Sequence, residues 1–238
     1  MISYNCKKIF KENRLLSVVF FIVSFLSIYA LADQFDMEIK FINFLTLSFS
    51  SIFTTRVFFT VPVILIFRNF SDKKMMCEVV RYRSLYEYNK VRFFKMVLIS
   101  FFAVFFITIN TLIIYIIKFN GNNFFSFEVL DGLRFATAGI HYFTGLVFLG
   151  ILIELISIRF KVKDFIIGFI IFFLILITID INFYESIDMF YIVNVGEYLC
   201  LLPALSFENK VYRFLYLLFV KFIIIFLYFK NDLIRKYS

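Results

Sequence analysis

Six stretches of this chain are apolar on every side for long enough to cross a lipid bilayer as helices, and the charged residues fall in the gaps between them. The stretches cover residues 15–32, 41–67, 96–117, 133–158, 165–181 and 212–229. About 20 helical residues cross the hydrocarbon layer. The second stretch is longer than that and the fifth shorter, differences that tilt and local thinning absorb. The pattern predicts an all-α integral membrane protein with six spans, forming a single transmembrane unit over residues 1–238.

Three further segments read differently. In residues 1–13, apolar Ile2, Cys6, Ile9 and Phe10 alternate with Lys7, Lys8 and Lys11, which predicts a short helix lying on an anionic membrane surface. In residues 71–89, Ser71 is placed to cap a helix and Asp72 falls in its first turn. There Met75, Met76, Val79, Tyr82 and Tyr86 recur at helical spacing, with Arg81, Arg83 and Glu87 on the remaining positions. Such a helix either lies on lipid or docks a cytosolic partner, because methionine and aromatic side chains make an adaptable contact face. In residues 183–203 an apolar run is broken by Asn194, Gly196, Glu197 and Pro203. Facing lipid, Glu197 and the freed backbone would be costly, so the segment predicts a re-entrant pair of short helices.

The charges then orient the chain. Basic residues crowd four alternate segments: Lys7, Lys8, Lys11 and Arg14 before the first span, eight positions from Arg68 to Lys95 before the third, Arg159, Lys161 and Lys163 after the fourth, and Lys230, Arg235 and Lys236 after the last. The other three gaps hold most of the acids, among them Asp33, Asp36, Glu38, Glu128, Asp131, Asp180, Glu185, Asp188, Glu197 and Glu208. Lys and Arg mark cytoplasmic loops. Both termini and the 68–95 segment are therefore expected in the cytosol of a multi-pass cell-membrane protein.

Composition agrees. The chain is 62% hydrophobic and 22% aromatic, with 39 Phe and no Trp, far more apolar than a soluble domain. Its wealth of Phe, Ile, Tyr, Asn and Lys suits AT-rich codons and suggests a low-GC bacterium. Cys6, Cys77 and Cys200 are too few and scattered for a disulfide framework. The apolar run after Arg14 reads as a retained signal anchor, with no small-residue cleavage site behind it.

Candidate chemistry is sparse. Arg56 stands within the second span near Ser50, Ser51, Thr54 and Thr55, and Lys221 stands within the last. A charge inside a membrane costs about 2.5–3.5 kcal/mol on insertion scales, so Ser51, Thr55, Arg56 and Lys221 are candidates for a translocation path or dimer interface. Arg56 reaching for water and Lys221 pairing with an acid or snorkelling are the plainer readings. Glu154 is expected to snorkel beside Arg159, and His141 to be a hydrogen-bonded packing residue. Ala136, Ala138 and Gly145 give the fourth span a small-residue side for close contact, and Gly139 and Gly150 are expected to add flexibility. One histidine excludes H-E-x-x-H metalloprotease chemistry, and no G-x-x-x-x-G-K-[ST] run is present to bind nucleotide. G-x-S-x-G is missing too. No catalytic residue, metal site, chain-borne cofactor or nucleic-acid partner is expected.

The order of interfacial helix, two spans, cytoplasmic amphipathic helix, three spans, outer re-entrant pair and last span resembles the membrane (permease) subunit of a type V ABC exporter, of the bacterial peptide- and drug-export or immunity type. The likeness covers the whole chain and is one of layout. It implies that residues 71–89 are the coupling helix, seated on an ABC ATPase subunit through Met75, Met76, Val79, Arg81, Tyr82, Arg83, Tyr86 and Glu87. It also implies a second permease subunit as partner, ATP and Mg on the ATPase chain, and a hydrophobic or amphipathic substrate such as a bacteriocin, signal peptide or membrane-active drug. The chain departs from the family in its few Gly and Pro and in Lys221. A non-transporting membrane immunity or scaffold protein, binding a toxin or other partner, would share the same hydropathy.

Overall fold

The computed structural model describes residues 14–35, 39–50, 58–71, 85–119, 128–160 and 207–230. These hold six helices: α1 (Arg14–Ala32), α2 (Phe41–Ser50), α3 (Thr60–Ser71), α4 (Leu85–Phe119), α5 (Val129–Phe160) and α6 (Phe207–Lys230). The described part is all-helical. Three helical stretches, Arg14–Ala32, Glu87–Phe119 and Val129–Glu154, are long and apolar enough to cross a membrane. The expected interfacial helix at 1–13, the fifth span at 165–181 and the re-entrant segment at 183–203 lie outside the described residues.

Local sequence explains the helix ends. α1 has no Gly or Pro, and Ser24 and Ser27 satisfy their hydroxyls by donating to the carbonyls of Phe21 (3.0 Å) and Val23 (2.8 Å). It tightens at its end, where Gln34 N–H donates to Leu31 O and Phe35 N–H to Ala32 O. Lys40 starts α2 by accepting from the backbone N–H groups of Asn43 and Phe44. Pro62 falls in the first turn of α3, where a missing N–H costs nothing. A widened π-type turn at Phe58 and Phe59 precedes it, and residues 51–57 between α2 and α3 lie outside the described residues.

Two boundaries differ from the sequence reading. Ser71, expected to cap a new helix, is the last residue of α3, and the positions that follow it lie outside the described residues. Leu85–Asn89 is no separate amphipathic piece but the start of a single 35-residue helix, α4. Packing explains this. Tyr88 and Arg92 continue the buried stripe of Met96, Ile99, Ala103, Ile107, Asn110 and Ile114 at steps of three and four. Arg92 was read as a loop charge, yet it faces inward.

α5 is the central helix, packing against α2, α3, α4 and α6, while α1 lies along α4. A Cβ on Gly150 would stand 3.2 Å from Met96 Cγ and Sδ and 3.3 Å from Phe67 Cε1. Gly150 therefore lets α3 and α4 close on α5, a packing role rather than the flexibility expected of it. Gly139 meets nothing nearer than Phe135, at 4.0 Å. Ala138 packs against the core, whereas Ala136 is exposed.

Contacts fix the helix directions. At one end the α1 terminus meets the α4 terminus, with Lys118 Nζ 2.5 Å from Asp33 Oδ1 and 4.0 Å from the Tyr29 ring centroid. At the same end Tyr115 OH donates to Ile39 O at 2.9 Å, and Lys40 before α2 pairs with Glu128 before α5. At the opposite end Tyr228 of α6 meets Glu154 of α5 and Asn89 of α4. α1 and α4 thus run toward the acidic end, and α2 and α5 run away from it. α6 runs parallel to α5.

The bundle is apolar outside and partly polar inside. On α6, Phe219, Phe222, Ile223, Phe226 and Leu227 are exposed while Lys221, Leu217 and Tyr228 are buried. On α1, Leu15, Val18, Ile22 and Leu26 face outward while Ser24 and Ser27 face in.

Candidate functional site

Two buried polar groups join α5 and α6, one near the end opposite the acidic rim and one deeper in the bundle. The first begins with Glu154, 2% exposed at its side chain. Its Oε1 lies 3.2 Å from Arg92 Nε of α4, and its Oε2 accepts from Tyr228 OH of α6 at 3.1 Å. Arg92 Nε also donates to Tyr88 OH at 2.9 Å, one turn earlier on α4, and its guanidinium carbon stands 5.4 Å from the Tyr88 ring centroid. Asn89 Nδ2 donates to the Tyr228 carbonyl at 3.4 Å. One acid, one base, two phenols and an amide therefore tie three helices together. A buried charge persists only when paired and hydrogen-bonded. Glu154 does not snorkel as expected: it is buried and pairs with Arg92 of another helix.

The second group centres on Lys221. Its side chain leaves α6 and reaches toward the start of α5, as helical Cβ geometry favours. Nζ donates to the His141 carbonyl at 3.0 Å and to Thr144 Oγ1 at 3.0 Å, and lies 3.4 Å from His141 Nδ1. Lys221 is 1% exposed and His141 is fully buried. Phe214 covers the imidazole, ring centroids 5.8 Å apart. Lys221 therefore neither snorkels nor pairs with an acid among the described residues. Its burial between α5 and α6 sets it inside the bundle.

A third polar contact joins α1 and α4. Asn110 Nδ2 donates to Ser24 Oγ at 2.6 Å and to Phe21 O at 3.2 Å, with Asn110 wholly buried. The rim carries a fourth. Lys40 pairs with Glu128 and lies 3.7 Å from Asp131, which is 3.7 Å from Arg134. The Glu128 hydrogen bond holds the Lys40 ammonium above its usual range, and the same bond, with the Lys40 charge, holds the Glu128 carboxyl below its own.

Of the residues singled out in the sequence, Ser51, Thr55, Arg56, Met75, Met76, Val79, Arg81, Tyr82 and Arg83 lie outside the described residues. Tyr86 falls in the first turn of α4, and Glu87 is exposed there. The structure adds Tyr88, Asn89, Arg92, Asn110 and Tyr228, which sequence reasoning missed. A usable signal existed for two of them: Tyr88 and Arg92 stand eight and four residues before Met96, in register with the apolar stripe. Among the described residues no three His, Cys, Asp or Glu side chains gather as a metal would require.

Compared with protein families, with curated proteins and with solved structures, the chain returns no match.

Proposed function

We propose that this chain is the membrane subunit of an ATP-driven exporter, a six-span permease that moves a hydrophobic or amphipathic substrate, such as a peptide or membrane-active drug, with ATP hydrolysed by a separate subunit. The observation that carries the membrane part is the inverted polarity of α6, where Phe219, Phe222 and Phe226 lie exposed beside a buried Lys221. In water that arrangement forfeits the hydrophobic effect and desolvates an ammonium together. In lipid the exposed faces are solvated and the polar groups find their partners in the bundle.

The helix directions support the six-span reading. α5 and α6 run the same way, so a chain that crosses with both must cross back between them, and the apolar stretch at 165–181 is the candidate for that crossing. The two ends also differ in charge as the sequence requires. Asp33, Glu128 and Asp131 gather at one end, while Arg14 begins α1 and Lys230 closes α6 at the other.

The ATP-driven part rests on the layout and on α4. Thirty-five helical residues span about 52 Å at 1.5 Å each, well beyond a hydrocarbon layer of about 30 Å. The excess includes Leu85 to Lys95, a stem that follows directly on the basic 72–84 segment and carries exposed Glu87 and Lys90. A rigid stem of this kind suits the passing of force from an ATPase docked on Arg81 and Arg83.

The test is purification of the full chain from its own cells in mild detergent, with the co-eluting subunits identified. A nucleotide-binding subunit that is lost in the Arg81→Glu, Arg83→Glu variant, while that variant still inserts, supports the exporter. Elution without such a subunit overturns it, and elution with a toxin instead favours the immunity reading.

A further inference from the structure

A cleft opens where α1, α3 and α4 meet, with Ser17 and Phe20 of α1, Ile66 of α3, and Ile99, Phe102 and Phe106 of α4 in its walls. It is partly open to the outside, and its volume of about 30 Å³ exceeds the ~10–15 Å³ that one water needs. Ser17 is the one polar residue of the lining, so water finds too few partners there. A flexible apolar chain suits the space better, because its carbons restore the dispersion contacts that a void forfeits.

The depth of the cleft matches one leaflet. Ile99, Phe102 and Phe106 fall in the first half of the apolar stretch 96–117. From Ile99 to Phe106 the helix rises about 10 Å, within the ~15 Å of half a hydrocarbon layer. α1 and α4 both reach the cleft from the basic end of the bundle.

Charge around that end has one sign. Arg14 is exposed at the start of α1, one turn before Ser17. Half-buried Lys95 stands one turn before Ile99, on the face of α4 that carries Phe102 and Phe106. The chain has no Asp or Glu from Arg14 to Ala32, from Thr60 to Ser71 or from Tyr88 to Phe119. The adjoining segments 1–13 and 72–84 are net basic. On α5, Glu154 is already paired with Arg92 and Tyr228. Such an end attracts the phosphate of a lipid whose headgroup is anionic.

We propose that the cleft between α1, α3 and α4 holds one acyl chain of an anionic phospholipid, with the lipid phosphate drawn to Arg14 and Lys95. The proposal rests on the membrane reading and is independent of the exporter reading.

The chain has no Trp, so a single introduced Trp reports its own surroundings. Phe102→Trp sets one at the lip of the cleft, and Phe101→Trp sets one at the same depth on an exposed position of α4. The full chain with either change is reconstituted in phosphatidylcholine vesicles that contain brominated phosphatidylglycerol or, instead, brominated phosphatidylcholine. Bromine quenches a Trp that it touches. At position 102 the relative affinity should favour phosphatidylglycerol about fivefold, the worth of one basic group near the surface. Position 101 should show little preference. Arg14→Gln in the Phe102→Trp protein should lower the ratio, and Arg14→Gln with Lys95→Gln should bring it near one. The proposal is overturned by an equal preference at the two positions or by a preference that survives the double variant. It is also overturned if neither lipid quenches position 102 while position 101 is quenched, because protein then covers the cleft. Quenching at neither position removes the membrane reading, and the proposal with it.

Discussion

Arg92 and Glu154 close an ion pair inside the bundle, Nε to Oε1 3.2 Å, with both side chains at or below 5% exposure. Removing either residue alone takes this ion-pair partner from the other, which stays buried away from water. Losing one partner of such a pair costs about 3–5 kcal/mol, whereas replacing both by apolar groups is often near neutral. Arg92→Met and Glu154→Leu should each lower the midpoint of thermal unfolding in detergent sharply. The double variant should recover most of the loss. A double-mutant cycle reads the coupling directly, and additive losses would contradict the pair.

At the acidic rim, Lys40 and Glu128 form an exposed pair whose pH dependence has a definite sign. Glu128 has a lowered folded pKa, so its contribution is present above its unfolded value, about 4.3, and is lost as pH falls through the folded one. Lys40 has a raised folded pKa, so its contribution is present below about 10.4 and is lost as pH rises through the folded value. The difference in melting temperature between wild type and Glu128→Gln should form a plateau between those limits, fall on both sides and shrink in high salt. A difference that grows toward acid would refute the assignment.

At Gly150, α3 and α4 close on α5. A single methyl there would stand 3.2 Å from Met96 Cγ and Sδ and 3.3 Å from Phe67 Cε1, contacts that small shifts of these side chains relieve, so Gly150→Ala should be mild. Gly150→Val adds bulk against the same neighbours and should cost about 1–3 kcal/mol by overpacking. Met96→Ala in the Gly150→Val background should restore part of the loss. An unfolding series of the four proteins checks it.

Phe222 lies 59% exposed next to buried Lys221. If lipid covers this face, Phe222→Lys should reduce insertion by about 2.5–3.5 kcal/mol, whereas Phe222→Leu should be silent. Insertion assays with a glycosylation reporter separate the two. Equal insertion of both variants would mean that α6 does not face hydrocarbon.

The helices were legible where hydropathy alone decides them. α1 ends within a residue of its expected bounds, because nothing in it competes with the apolar run. The first turns of α4 and α5 were not legible, because polar residues there face inward and find partners distant in sequence, Asn89 at Tyr228 of α6 and Asp131 at Lys40 just before α2. Arg92 reads as a loop charge until Glu154, more than sixty positions away, is brought beside it. Lys221 was visible as an anomaly, but its acceptors are a backbone carbonyl and a hydroxyl on α5, groups that carry no sequence signature. Gly150 was seen as a glycine, and its neighbours Met96 and Phe67 could be named only from the packing.

The stem of α4 offers the most direct check of how the chain sits in its membrane. Glu87 and Lys90 are exposed, whereas Tyr88 and Asn89 are 1% and 7% exposed. Helical geometry sets these neighbours on opposite sides of one rod, so labelling should alternate along the sequence. In a background lacking Cys6, Cys77 and Cys200, single cysteines at 87 and 90 should react quickly with an impermeant maleimide, and those at 88 and 89 slowly. If basic segments stay in the cytosol, the reactive pair should label in inverted vesicles and not in intact cells. Uniform reactivity would mean that the stem stands apart from α5 and α6, which would leave the Arg92 and Glu154 pair without its packing. Alternating reactivity from the outer side would keep the stem but reverse the chain, and the basic 72–84 segment would then face away from any ATPase.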